Sequence, residues 1–168
     1  MKLTKRLLAM ALAGVMLLTI LTGCSGGKTG DRLVEEYMAA ILRENPASGV
    51  SGDIPITHDV PEIKDVAENF DPSMLAPNEI GFDLSKNLDS LKSALANYSS
   101  ANVFLYAMAV PEGMSELTQV TLLRHHSFPY IHSSGSITFS SIKCASTLVK
   151  KGGKQYRLVV LIQVPAAS

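Results

Sequence analysis

Residues 144–162 read CASTLVKKGGKQYRLVVLI, two extended runs meeting at a pair of glycines. The favoured two-residue hairpin turns need positive φ at one or both central positions, which glycine adopts without steric penalty. A turn at Gly152 and Gly153 sets Lys151 opposite Lys154. It therefore sets Val149 opposite Tyr156, Thr147 opposite Leu158, Ala145 opposite Val160 and Cys144 opposite Leu161. Ala145, Thr147, Val149, Tyr156, Leu158, Val160 and Ile162 then share one face, expected to be the core face. Cys144, Ser146, Leu148, Arg157, Val159 and Leu161 share the other, expected to be the more polar side, with Cys144 under a loop. Upstream, Ile137 and Phe139 have one parity while Ile142 and Cys144 have the other, so a bulge is expected near Ser140 and Ser141.

Working outward, Val103 to Val110 (VFLYAMAV) is apolar at both parities and bounded by Asn102 and Pro111, the pattern of an inner strand. DRLVEEYMAAILREN, from Asp31, places Leu33, Val34, Tyr37, Met38, Ile41 and Leu42 on one helical stripe, with Asp31 as cap and Pro46 ending the pattern. Residues 47–61 read as loop. Pro61 and Glu62 suit the first turn of a short helix through Asn69, and Asp71 with Pro72 a further brief turn. From Asp83, a good N-cap, Leu84, Leu88, Leu91, Leu95 and Tyr98 recur at helical spacing. The stretch from Leu117 to His126 fits either element. Ser115 ahead of it can open a helix, but β-branched Val120 and Thr121 favour the strand expected here.

The amino terminus has a different character. MKLTKR carries Lys2, Lys5 and Arg6 with no acid, and Leu7 to Gly23 holds no charge at all. Spanning a bilayer takes about 20 apolar residues with flanking anchors, and this run is shorter and ends in LTGCSGG. Basic start, apolar middle and the box LTGC at Leu21 to Cys24 together resemble the signal of bacterial lipoproteins. The resemblance covers the leader only. It implies cleavage before Cys24, a diacylglycerol thioether on that sulfur and often an acyl chain on the new amine. Each buried methylene contributes about 0.8 kcal/mol, so two or three chains hold a protein to a membrane where one does not. The implied organisation is a signal peptide over residues 1–23, lipidated Cys24 with a Gly/Ser tether over 24–30, and one domain over 31–168.

The formal charge of the whole chain is zero, and removal of the three leader charges leaves the remainder net acidic, which disfavours nucleic acid and anionic lipid head groups as electrostatic partners. With Cys24 lipidated, Cys144 is a lone thiol, expected to be buried. Three of the four histidines, His125, His126 and His132, fall within RHHSFPYIH. Adjacent strand residues point to opposite faces, so only one of the first two can join His132, and His58 or Asp59 would have to complete a metal set. A nucleophilic Cys144 activated by one of these histidines is a further candidate. SGGKTG lacks phosphate-loop spacing.

These readings combine into an α+β, two-layer domain: a mainly antiparallel sheet of about four strands, with helices at Asp31–Glu44 and Asp83–Tyr98 on one face. The expected role is a lipid-anchored module at the extracytoplasmic side of a cell membrane, held by acylated Cys24 and binding a protein or small molecule, with no cofactor implied. The alternative is a lipid-anchored hydrolase or metal-dependent enzyme built on His126 and His132, with or without Cys144.

Overall fold

A computed structural model describes residues 30–44, 54–124, 130–133 and 139–166. Its spine is the C-terminal hairpin of β4 (Phe139–Lys151) and β5 (Lys154–Pro165). Gly152 and Gly153 have φ of 56° and 80°, and the pairing is the one that this turn dictates, from Lys151↔Lys154 to Cys144↔Leu161. The register slips between Phe139 and Ser141, where the change of parity places the bulge. β2 (Asn102–Val110) pairs antiparallel along the other side of β5, so Val103 to Val110 is indeed an inner strand. Two short strands complete the sheet. β1 (Ile56–Thr57) runs parallel to β4, and β3 (Tyr130–His132) runs antiparallel to the start of β2. The order is β1-β4-β5-β2-β3, a mixed five-stranded sheet in which all pairs but one are antiparallel.

Both faces of this sheet are buried. On one, Val103, Leu105 and Ala107 of β2, Ala145 of β4, and Tyr156, Leu158, Val160 and Ile162 of β5 form a core. It is covered by α2 (Ile63–Asn69) through Val66, by Phe70, and by α3 (Asp89–Ala94) with its flanks through Leu88, Leu91 and Leu95. On the other, Tyr106, Met108, Val110, Ile142, Cys144, Val159 and Leu161 meet Val34 and Met38 of α1 (Gly30–Glu44) and Val120 and Leu123 of α4 (Glu116–Arg124). This corrects the two-layer expectation. The helix from Gly30 and the Leu88–Leu95 region lie on opposite sides of the sheet. The inner strands are apolar at both parities, so a single helical layer would leave one apolar face in water.

Two local expectations also change. Residues 116–124 are helical rather than extended. The Ser115 hydroxyl accepts the Thr118 N–H at 3.3 Å as a cap, and the Thr121 hydroxyl donates to Leu117 O at 2.8 Å, a bond open to threonine within a helix. Local capping outweighs the strand preference of Val120 and Thr121. Asp83 closes a turn instead of opening a helix, its Oδ1 accepting the Ser85 N–H at 3.0 Å and hydroxyl at 2.7 Å. The helix starts later, where Asn87 accepts the Asp89 N–H at 2.7 Å, and passes into a 3-10 turn over Ala96–Tyr98. Leu84 is consequently 71% exposed, while Leu88, Leu91 and Leu95 keep their core positions. The short helix from Ile63 and the turn at Pro72–Met74, capped by Asp71, form as the sequence suggests.

Tyr98 and Glu62 tie this helical layer together. The Tyr98 hydroxyl donates to Glu62 Oε2 at 3.0 Å, and Asn97 donates to Oε1 at 3.2 Å. Burial, and then the bond and charge of Glu62, push the Tyr98 phenol from 10.0 up to about 12. The folded chain therefore holds this proton more tightly than the unfolded one. The resulting stabilisation is complete below about pH 10 and disappears as pH rises through the folded value. The urea midpoint of the parent chain is expected to fall more steeply between pH 10 and 12 than that of Tyr98→Phe. Parallel slopes would show that this phenol is not linked to folding.

Candidate functional site

Cys24, His125 and His126 lie outside the described residues. Of the remaining sequence candidates, His132 sits on β3 with Nε2 3.1 Å from Lys92 O, next to the α2 and α3 layer. Cys144 lies on β4, three strand spacings away or roughly 14 Å, and faces α1 on the opposite side of the sheet. The structure does not bring these two together. Cys144 is covered by α1 rather than by a loop. Burial, reinforced by the negative charge of Glu35, pushes its thiol far above the usual range, which opposes the thiolate that nucleophilic attack or metal binding needs. His58 and Asp59 follow β1, at the sheet edge opposite β3, about 19 Å of strand spacing from His132. Among the described residues no group of three His, Cys, Asp or Glu side chains is placed to hold a metal.

What the fold does assemble is a polar network between α1 and the sheet. The face of α1 that carries Val34 and Met38 also carries Asp31 and Glu35, one turn apart. Arg157, on the central strand β5, is only 2% exposed. Its Nε donates to Gln119 Oε1 at 2.9 Å and its Nη1 pairs with the Asp31 carboxylate. Glu116 and the Arg157 guanidinium close around Gly30, where a Cβ would fall 2.9 Å from Glu116 Oε1 and 3.9 Å from Arg157 Nη2. The absence of a side chain lets the start of α1 approach this closely.

One turn on, Glu35 Oε1 accepts the backbone N–H of Ser146 at 2.8 Å, and the Ser146 hydroxyl donates to Asp31 O at 2.7 Å. β1 pairs with β4 only at Ile142 and Lys143, so the Glu35 carboxylate takes over an edge N–H that no strand reaches. Its Oε2 lies 2.8 Å from His58 Nδ1 and 3.5 Å from Arg32 Nη1. The His58 ring nitrogen is within ion-pair distance but makes no aligned hydrogen bond. With the Ser146 hydroxyl committed to Asp31, this Ser, His and Glu set is not a nucleophilic triad; its chemistry is that of a clamp.

Sequence reasoning missed the network because its members are far apart in the chain. The available signals were Arg157, the one charge within YRLVVLI, and two acids on the buried stripe of α1. Outside it, an open depression of about 580 Å³ at the hairpin end is lined by Glu79, Val110, Glu112, Lys150, Lys154 and Gln155 among others. There Lys154 Nζ meets Glu79 Oε1 at 2.6 Å, a bond that holds its ammonium above the ordinary lysine value. Comparison with protein-family models, with curated proteins and with solved structures finds no match to this chain. Among the described residues, no helix is long and apolar enough to cross a membrane.

Two expectations follow from the burial of Arg157 and Cys144. Asp31→Ala leaves a guanidinium inside the helix–sheet interface with one partner fewer, at a cost of about 3 kcal/mol, whereas Arg157→Met replaces the charge with apolar volume and costs less. Urea unfolding of both variants checks this, and the reverse order would show that the pair is not a clamp. Alkylation of Cys144 in the native chain should be far slower than that of a free thiol and should rise on unfolding. Fast native labelling would mean that α1 does not cover it.

Proposed function

We propose that the chain is a bacterial lipoprotein, anchored through acylated Cys24 on the extracytoplasmic side of a cell membrane. In this reading the α+β domain serves as an accessory module that binds a protein or small-molecule partner. The observation that carries it is the sequence LTGC at Leu21 to Cys24, preceded by an uncharged run and a basic start. The chain after Cys24 supports it, since only five residues separate that cysteine from the first turn of α1 at Gly30. A lipid on Cys24 would therefore hold the domain close to the bilayer.

Mechanistically, such a module acts by confinement. Restricting a domain to a membrane surface raises the effective concentration of partners held there, so that a weak interface suffices. The competing enzyme reading gains no support from Cys144, which is buried away from His132.

Growth with radiolabelled fatty acid tests the anchor. The parent chain should incorporate label and partition with membranes, and Cys24→Ala should lose the label and accumulate uncleaved. Continued labelling of Cys24→Ala would sink the assignment.

A further inference from the structure

The place where the chain enters the domain is unlike the rest of its surface. A side chain on Gly30 would run into the Glu116 carboxylate and come close to the Arg157 guanidinium. Two of the most exposed large apolar side chains of the described residues adjoin those same groups. Leu117, 41% exposed, follows Glu116, and Leu148, 38% exposed, is the cross-strand partner of Arg157 on the α1 face. Leu148 is also the first residue of that face beyond Ser146, which bonds to the start of α1, so the helix begins short of it. Lys150 comes next along the same face, a long stem with a charged end, suited to lying on apolar surface while its ammonium stays in water.

We propose that this end of the domain, with Leu117 and Leu148 at its centre and Lys150 at its rim, rests on the surface of the bilayer that holds the Cys24 lipid. The inference rests on the lipoprotein reading above. Chain length favours it. Six steps of chain from Cys24 to Gly30 span at most about 20 Å. The opposite end of the sheet, where Asn102 pairs with Gln163, lies six residues further along β5 than Arg157, again about 20 Å. Turning that end toward the lipid would require the whole tether, fully stretched, along the side of the domain. With the Leu117 and Leu148 end down, the tether stays slack and two exposed apolar side chains leave water.

The chain contains no tryptophan, so a single introduced indole reports one position. Glu112→Trp marks the turn beyond the end of β2, near Leu117, and Ser100→Trp marks the opposite end of the same strand; both positions are exposed. Each variant is purified from membranes as the full lipoprotein, its acyl mass checked, and reconstituted into phosphatidylcholine vesicles containing brominated lipid. Quenching should be several-fold stronger at position 112 than at 100. The added pair Leu117→Ser and Leu148→Ser should bring position 112 down to the level of 100 while acylation and vesicle association persist. Equal quenching at both sites, stronger quenching at 100, none at 112, or indifference to the serine pair would overturn the orientation while leaving the anchor intact. A mature chain without acyl mass would remove the anchor and the orientation together.

Discussion

The whole architecture depends on the two positive backbone angles at Gly152 and Gly153. They set which residues of β4 and β5 oppose each other, and the period of two along each strand then sorts every side chain to one face or the other. With β4 in place, a slip of one residue would turn the whole of β5 over, so that Val159 and Leu161 faced the layer of α2 and α3 and Arg157 lay among Leu91 and Leu105. Because β5 also pairs with β2 along its whole length, the same register carries across to Tyr106 and Met108. The turn thus decides the composition of both cores.

That dependence explains which parts of the fold were legible. Turn chemistry is local, so the hairpin register, the bulge before Ser141 and the inner position of β2 can all be read from the chain. So can α1, whose stripe has a single period, and the short helix that begins after Glu62. The number of layers cannot. Ser146 and Arg157 look like the marks of a solvated face, and their partners Glu35, Asp31 and Gln119 lie 38 to 126 positions away. Once partnered, these polar groups belong inside, and the face that they occupy accepts a second helical layer. Residues 83–98 misled for another reason. The leucine spacing was sound, but the side chains of Asp83 and Asn87 accept local backbone hydrogen bonds that compete with a helix before Asp89.

The candidate site was less legible still. The histidine cluster drew attention because its members are close in sequence, whereas the sheet carries His132 and His58 to its two opposite edges. Cys144, a free and buried thiol, is explained by packing in the core that Val34 and Met38 share. The pairing of His58 with Glu35 reflects the need to finish the exposed edge of β4. Ser146 offers an N–H beyond the short β1, and a carboxylate from α1 takes it, so that donor is closed to a foreign strand. The far side of the sheet is finished in the same way, where Gly81 donates to Ala107 O at 2.7 Å and Ala109 donates to Glu79 O at 2.9 Å.

The grip of Arg157 on Asp31 also has a mechanical meaning. Whatever pulls on the residues ahead of Gly30 pulls on the first turn of α1, and that turn is fastened both to β4 through Ser146 and to the middle strand of the sheet through Arg157. Tension entering there must shear the helix across the sheet against several bonds at once, instead of unzipping a border strand one bond at a time. A pull at the start of α1 thus loads the centre of the sheet as well as its side.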